Sequence, residues 1–216
     1  MIFSQKTQKE QSVKEELANT ISHAVGLIAA VIAAPFLIYY SATHGDTLAV
    51  VGTAVFITTA MTLYFSSTFY HAIRDGKWKR IFQMADHVAI FLLIAGTYTP
   101  FTLGVLHGTF GWIMFGLIWL MAITGIVLKL ITGVKNIKVW VAFYLAMGWL
   151  IIIAAKPLLD NMAVSGVLWI AAGGAAYTLG VIFYAMPHRK YSHFIWHLFV
   201  LAGTAFHFIA VMFHSF

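Results

Sequence analysis

The chain has 216 residues, 61% of them hydrophobic and only 9% charged, with a formal net charge of +6. A soluble domain carries roughly 25% charged residues, so this chain cannot cover a water-facing surface, and disorder, which needs low hydrophobicity and high charge, is excluded too. There are no cysteines, which removes disulfides, thiolate metal sites and cysteine nucleophiles.

Residues 1–18 are polar and carry Lys and Glu. They read as a cytoplasmic N-terminal tail. No apolar segment precedes the first span, so no removable signal peptide is expected. Beyond the tail, charges divide the chain into uncharged runs at 17–45, 47–73, 87–128, 139–155, 161–188 and 191–216. A spanning helix needs about 20 residues, whereas a membrane barrel needs alternation over segments of about 10. Five runs hold one helix each. The run 87–128 holds two, with a turn near Leu106-His107-Gly108-Thr109-Phe110-Gly111. The expected fold is all-α: a seven-helix transmembrane domain over 19–214, with spans near 19–41, 48–70, 84–105, 110–131, 138–156, 164–186 and 192–214. Lys138 and Lys156 can extend the short fifth run by snorkelling to the interfaces.

With the N-terminus inside, 12 of the 13 bases fall on cytoplasmic segments, and Lys156 alone lies outside. The positive-inside rule then predicts a cytoplasmic N-terminus and an outward C-terminus. The net positive charge reads as contact with anionic headgroups, not with nucleic acid.

Three segments carry chemistry to one depth. Ser67 and His71 are spaced i, i+4 at the end of the second span, so they share a face. Asp86 opens the third. His193 and His197, again i, i+4, begin the seventh. On this topology all three places are cytoplasmic. Three imidazoles with one open position make a catalytic zinc arrangement, in which a bound water can reach a pKa of about 7. Asp86 can ligate directly or act as general base, and Ser67 can support a water or an oxyanion. Read from spacing alone, the alternative stands beside it: separate residues at helix ends, capping carbonyls or meeting headgroups, with Asp86 as an acid favoured by a helix N-terminus.

The remaining motifs have structural readings. Ala95-Gly96-Thr97-Tyr98-Thr99-Pro100 combines small residues with a proline and suggests close helix packing. Pro35 can bend the first span. Gly125 and Gly173-Gly174 suggest close approach. His44, His107, His188 and His214 fall in turns or at helix ends, His87 is read as interfacial, and His207 as a packing or hydrogen-bonding residue.

Taken in order, the motifs Glu16-x2-Asn19-x3-His23, Ser67-x3-His71, Asp86-His87 through Pro100, and His193-x3-His197 resemble the bacterial haemolysin III family, the PAQR-type membrane homeostasis proteins. Tyr144-Leu145-Ala146-Met147-Gly148-Trp149 is similar to the bacterial branch. The resemblance covers residues 14–214. It implies kinship with adiponectin and progestin receptors and, more distantly, with alkaline ceramidases. It also implies Zn²⁺ on His71, His193 and His197, with Asp86 nearby and Ser67 supporting, and an inner-membrane, multi-pass location. Glu16, Asn19 and His23 would tie the first span to the site.

Three functions follow as expectations. The ceramidase-like relatives imply a zinc-dependent hydrolase of a lipid amide or ester, with Asp86 moving the proton and Ser67 steadying the oxyanion. The haemolysin name implies a pore former, although no row of charges marks a pore lining. The third is a non-enzymatic regulator or sensor of membrane lipids with structural zinc. Membrane lipids are the expected partners, and oligomeric state is left open. A retinal protein would need a mid-helix lysine, which residues 191–216 lack.

Overall fold

The computed structural model describes residues 11–134, 136–186 and 188–216. Lys6, Lys9 and Lys135, three of the bases counted for orientation, lie outside the described residues, as do the first ten residues of the expected tail. The described chain is all helix: α1 (Val13–His44), α2 (Thr47–Ala72), α3 (Lys77–Leu103), α4 (Gly108–Thr132), α5 (Ile137–Trp149), a 3₁₀ turn (Leu150–Ala154), α6 (Ala155–Asn161), α7 (Val164–Tyr184) and α8 (Ser192–His214). Seven stretches are long and apolar enough to cross a membrane, the fifth being α5 through α6.

Helix α1 starts six residues before the expected 19, because a capping box closes its end. Ser12 Oγ accepts from Glu15 N at 3.3 Å, and Glu15 Oε2 accepts from Ser12 N at 3.0 Å. This reciprocal pairing satisfies two otherwise orphaned donors. It also turns Glu16 and Asn19 into helical residues facing the bundle. The second Glu15 oxygen accepts from Tyr191 N at 2.9 Å, so the start of α1 holds the start of α8. Helix α3 also starts early, at Lys77. Asp86 therefore lies about two and a half turns inside it at 3.6 residues per turn, rather than at its opening.

The spans close a ring. α2 packs between α1 and α3, α3 meets α4, α5 and α8, α7 pairs with α8 and touches α5, and α1 returns to α8. Without a hydrophobic drive between helices in lipid, close approach depends on small residues. A Cβ on Gly96 would lie 2.1 Å from Thr59 Oγ1, and one on Gly52 would lie 2.7 Å from Pro100 Cα. The Ala95–Pro100 stretch is thus the seam between α2 and α3. Gly125 and Gly173 admit the rings of Phe91 and His207, whereas Gly174 faces open space. Large apolar side chains such as Ile28, Phe36, Leu120 and Leu168 point outward, as a lipid solvent requires.

The fifth span is broken where one continuous helix was expected. Tyr98 of α3 is the reason. Its Oη shares its one proton between the Met147 and Gly148 carbonyls, at 2.9 and 2.7 Å, and accepts from Ile151 N at 2.8 Å. One phenol therefore satisfies the backbone groups that the 3₁₀ turn releases, which lets the turn exist in a setting without water.

Candidate metal centre

The histidines of the two i, i+4 pairs do converge. His71 sits one residue before the end of α2, and His193 and His197 lie on the first turns of α8. One nitrogen from each ring falls within 4.8 Å of the others. The ring centroids are 5.0 Å apart for His71 and His193, 5.1 Å for His71 and His197, and 4.6 Å for His193 and His197. Three nearby imidazoles of this kind can hold a metal ion.

The outer faces of two rings are engaged by α1. His71 Nδ1 lies 2.5 Å from Glu16 Oε2, and the other Glu16 oxygen accepts from Lys79 Nζ of α3 at 2.8 Å. A carboxylate accepts only, so the proton resides on Nδ1 and the His71 Nε2 lone pair is left free. His197 Nδ1 lies 3.0 Å from Ser22 Oγ and 3.3 Å from the Asn19 carbonyl. The carbonyl likewise demands a proton on Nδ1. Metal-ligating histidines are held in this manner by carboxylates and carbonyls behind them. On the inner side, His71 Nε2 and His193 Nε2 are buried and have no hydrogen-bond partner. Orphaned buried acceptors are costly, and a shared cation is what this donor set fits.

Asp86 and Ser67 flank the trio without joining it. Asp86 is buried on α3 but is not among the three groups whose ligand atoms lie within 4.8 Å of one another. Its carboxylate lies near Ser67 and within electrostatic range of His71 and of Lys129 of α4. Ser67 is fully buried. Its Oγ lies near the Asp86 carboxylate but makes no hydrogen bond to it or to any other group of the described residues. The flank therefore offers an acid and a free hydroxyl beside three imidazoles.

Other residues stand differently from their sequence reading. His23 stacks flat on His197, with centroids 3.6 Å apart and planes at 7°, and meets Tyr64 edge-on at 5.2 Å. It braces a ring of the trio and so ties α1 to the site. His207 packs in the bundle against Gly173 and Tyr177, a packing residue as expected. His87 is only half exposed, and its Nδ1 is enclosed without a partner. The reading by charge boundaries passed over Lys129, which turns inward and is 1% exposed. Its signal was present: a lysine inside an expected span, where an ionisable group defaults to a functional reading.

Comparison with known proteins gives one consistent picture. The family described as haemolysin-III related matches residues 11–208. The chain is 43% identical to Hemolysin-3 of Bacillus cereus, over 96% of this chain and 95% of that protein. It is 41% identical to a Hemolysin-3 homolog of Bacillus subtilis, over 94% and 95% respectively. It is 28% identical to a human protein named monocyte to macrophage differentiation factor, over 91% of this chain and 83% of that one.

Proposed function

The chain belongs to the haemolysin-III-related family, a multi-pass protein of the bacterial inner membrane, and from that premise we propose that it is a zinc-dependent hydrolase of a lipid amide or ester serving membrane lipid homeostasis. The observation that carries this reading is the trio itself: three imidazoles from α2 and α8, those of His71 and His197 buried and that of His193 half-buried, two with unpartnered Nε2 atoms and two with their outer nitrogens engaged by α1.

His71, His193 and His197 would hold the ion, with Asp86 beside it. When bound, zinc supplies Lewis acidity that polarises a carbonyl oxygen and acidifies water. The protein's own groups do the rest. Glu16 and the Asn19 carbonyl keep the protons of His71 and His197 on Nδ1. The Asp86 carboxylate takes a proton from the attacking water and returns it to the leaving nitrogen or oxygen. The Ser67 hydroxyl donates to the substrate oxygen as charge develops there. The surrounding helices exclude bulk water, and the acyl chain lies among them with its headgroup toward the end of the bundle that carries the trio. In this reading that end is cytoplasmic, with the N-terminus inside and the C-terminus outside.

Asp86→Asn is the test. Asn keeps the size and can still hydrogen-bond a water but cannot take its proton, and loss of a general acid–base group costs about 10²–10⁴-fold in rate. The variant should keep its fold and zinc while cells expressing it show the lipid profile of the null strain. A variant that keeps zinc and restores the normal profile overturns hydrolysis through Asp86, and a lipid regulator with structural zinc becomes the better account.

A further inference from the structure

Lys129 is the feature the reaction above does not use. It lies in the last turn of α4, three residues before the helix ends, or about 4.5 Å below that end at 1.5 Å per residue. This is headgroup depth, at the same end of the bundle as the histidine trio. Lysines there ordinarily snorkel outward. This one is 1% exposed and points into the wedge between α3, α4 and α5.

Its surroundings are incomplete for a cation. The ammonium stands 4.5 Å from the centre of the Trp140 ring and 5.3 Å from that of Tyr144. Lys129 Nζ donates to Tyr144 Oη at 3.0 Å, and that phenol passes its own proton to the His87 carbonyl, also at 3.0 Å. An ammonium has three donors, and this bond uses one. Among the described residues the ion pairs are Glu16 with His71 and Lys79, and Lys156 with Asp160; Lys129 has none. Asp86 is the acid within range of its field, but the two are not joined by an ion pair within 4.0 Å. His87, whose carbonyl takes the Tyr144 proton, carries a second unmet group: its Nδ1 is enclosed and without a partner. A buried cation needs a hydrogen-bonded counter-charge, and among the described residues no carboxylate lies within 4.0 Å of this one.

We propose that Lys129 is the receptor for the phosphate group of a net-anionic phospholipid, whose oxygens take the two spare Nζ donors, with His87 on one side and the Trp140 and Tyr144 rings as walls. Basic pockets between spanning helices bind anionic headgroups in this way, and amphipathic Trp and Tyr rings sit at headgroup level. A lysine serves phosphate as a point charge. The proposal rests on reading this end of the bundle as the one that handles lipid, and it narrows that lipid to an anionic one.

The test measures binding and needs no turnover, so its failure leaves hydrolysis to be judged by Asp86→Asn. Full-length protein is placed in nanodiscs of phosphatidylcholine with increasing phosphatidylglycerol, and phosphatidylglycerol retained per chain is read by native mass spectrometry, with metal content measured alongside. The wild type should select phosphatidylglycerol. Lys129→Met should weaken that selection at least about tenfold, the scale of losing a hydrogen bond to a charged group, and Lys129→Arg should keep most of it. If Lys129→Met does not fold, Lys129→Gln, which retains hydrogen bonding without charge, provides the same comparison. Unchanged selection in the charge-free variant overturns the proposal. Two competition arms in the phosphatidylglycerol discs identify the source: displacement of the retained phosphatidylglycerol by inorganic phosphate means a free-ion site, and its displacement by oleate means a carboxylate site, and either result overturns the headgroup assignment.

Discussion

Replacing Glu16 by alanine should weaken zinc binding without touching a ligand. In the structure one Glu16 oxygen receives the His71 Nδ1 proton at 2.5 Å and the other receives Lys79 Nζ at 2.8 Å. Removing the carboxylate does two things. It frees the His71 proton to move to Nε2, where it would block the ligand position, and it lowers the basicity of the ring that remains. Partners behind metal-bound histidines are typically worth 10–100-fold in affinity, or about 1.4–2.7 kcal/mol. The broken Lys79 contact adds a folding cost of its own, because that ammonium is only 18% exposed, and the metal-free melting temperature reads that cost separately from zinc affinity. Glu16→Gln separates geometry from charge: its amide oxygen still accepts from Nδ1, so its loss should fall between wild type and Glu16→Ala. The assay is competition against a zinc-chelating dye in detergent at fixed pH, with metal-free melting temperatures as a control for folding. A Glu16→Ala protein that folds and binds zinc as tightly as wild type would refute the assignment of the proton to Nδ1 and the role of α1 behind the site.

Three further outcomes are expected. Tyr98→Phe removes the hydroxyl that serves the 3₁₀ turn, leaving buried backbone groups unmet at about 1–3 kcal/mol; the melting temperature should fall, and an unchanged value would mean the break in the fifth span is held by something else. Gly96→Ala drives a Cβ to within 2.1 Å of Thr59 Oγ1, an overpacking cost of about 1–3 kcal/mol, and Thr59→Ala in the same chain should recover part of the lost thermal stability; no recovery would contradict the seam described between α2 and α3. For topology, a reporter fused after Phe216 should be active outside the cytoplasm, and activity only inside would reverse the proposed orientation.

Run lengths between charges were enough to count the spans, because the cost of burying charge in hydrocarbon is a rule without much context. The i, i+4 spacing of His193 and His197, and the position of His71 at the end of its run, likewise foretold their convergence, since helix geometry and common depth leave few alternatives. What escaped notice depends on contacts between helices or on local capping. The early start of α1 was legible in Ser12-x-x-Glu15, a capping-box pattern, but the polar residues around it read as tail. The break after Trp149 has no local signal, because the group that satisfies it is Tyr98, about fifty residues earlier. The stacking of His23 on His197 joins residues from opposite ends of the chain. Lys129 was counted as a charge at a boundary, and its inward turn is decided by the Trp140 and Tyr144 rings of the next helix.

The most direct measurement of the central claim is the metal content of the purified full-length protein, wild type beside the triple variant His71→Ala/His193→Ala/His197→Ala. The three converging imidazoles, two of them with unpartnered Nε2 atoms, predict about one zinc per wild-type chain, the stoichiometry of a single site, and none retained by the triple variant after passage over a chelator. A triple variant that keeps its stoichiometric zinc, or a wild-type chain that holds no divalent metal when purified without chelator, would contradict it.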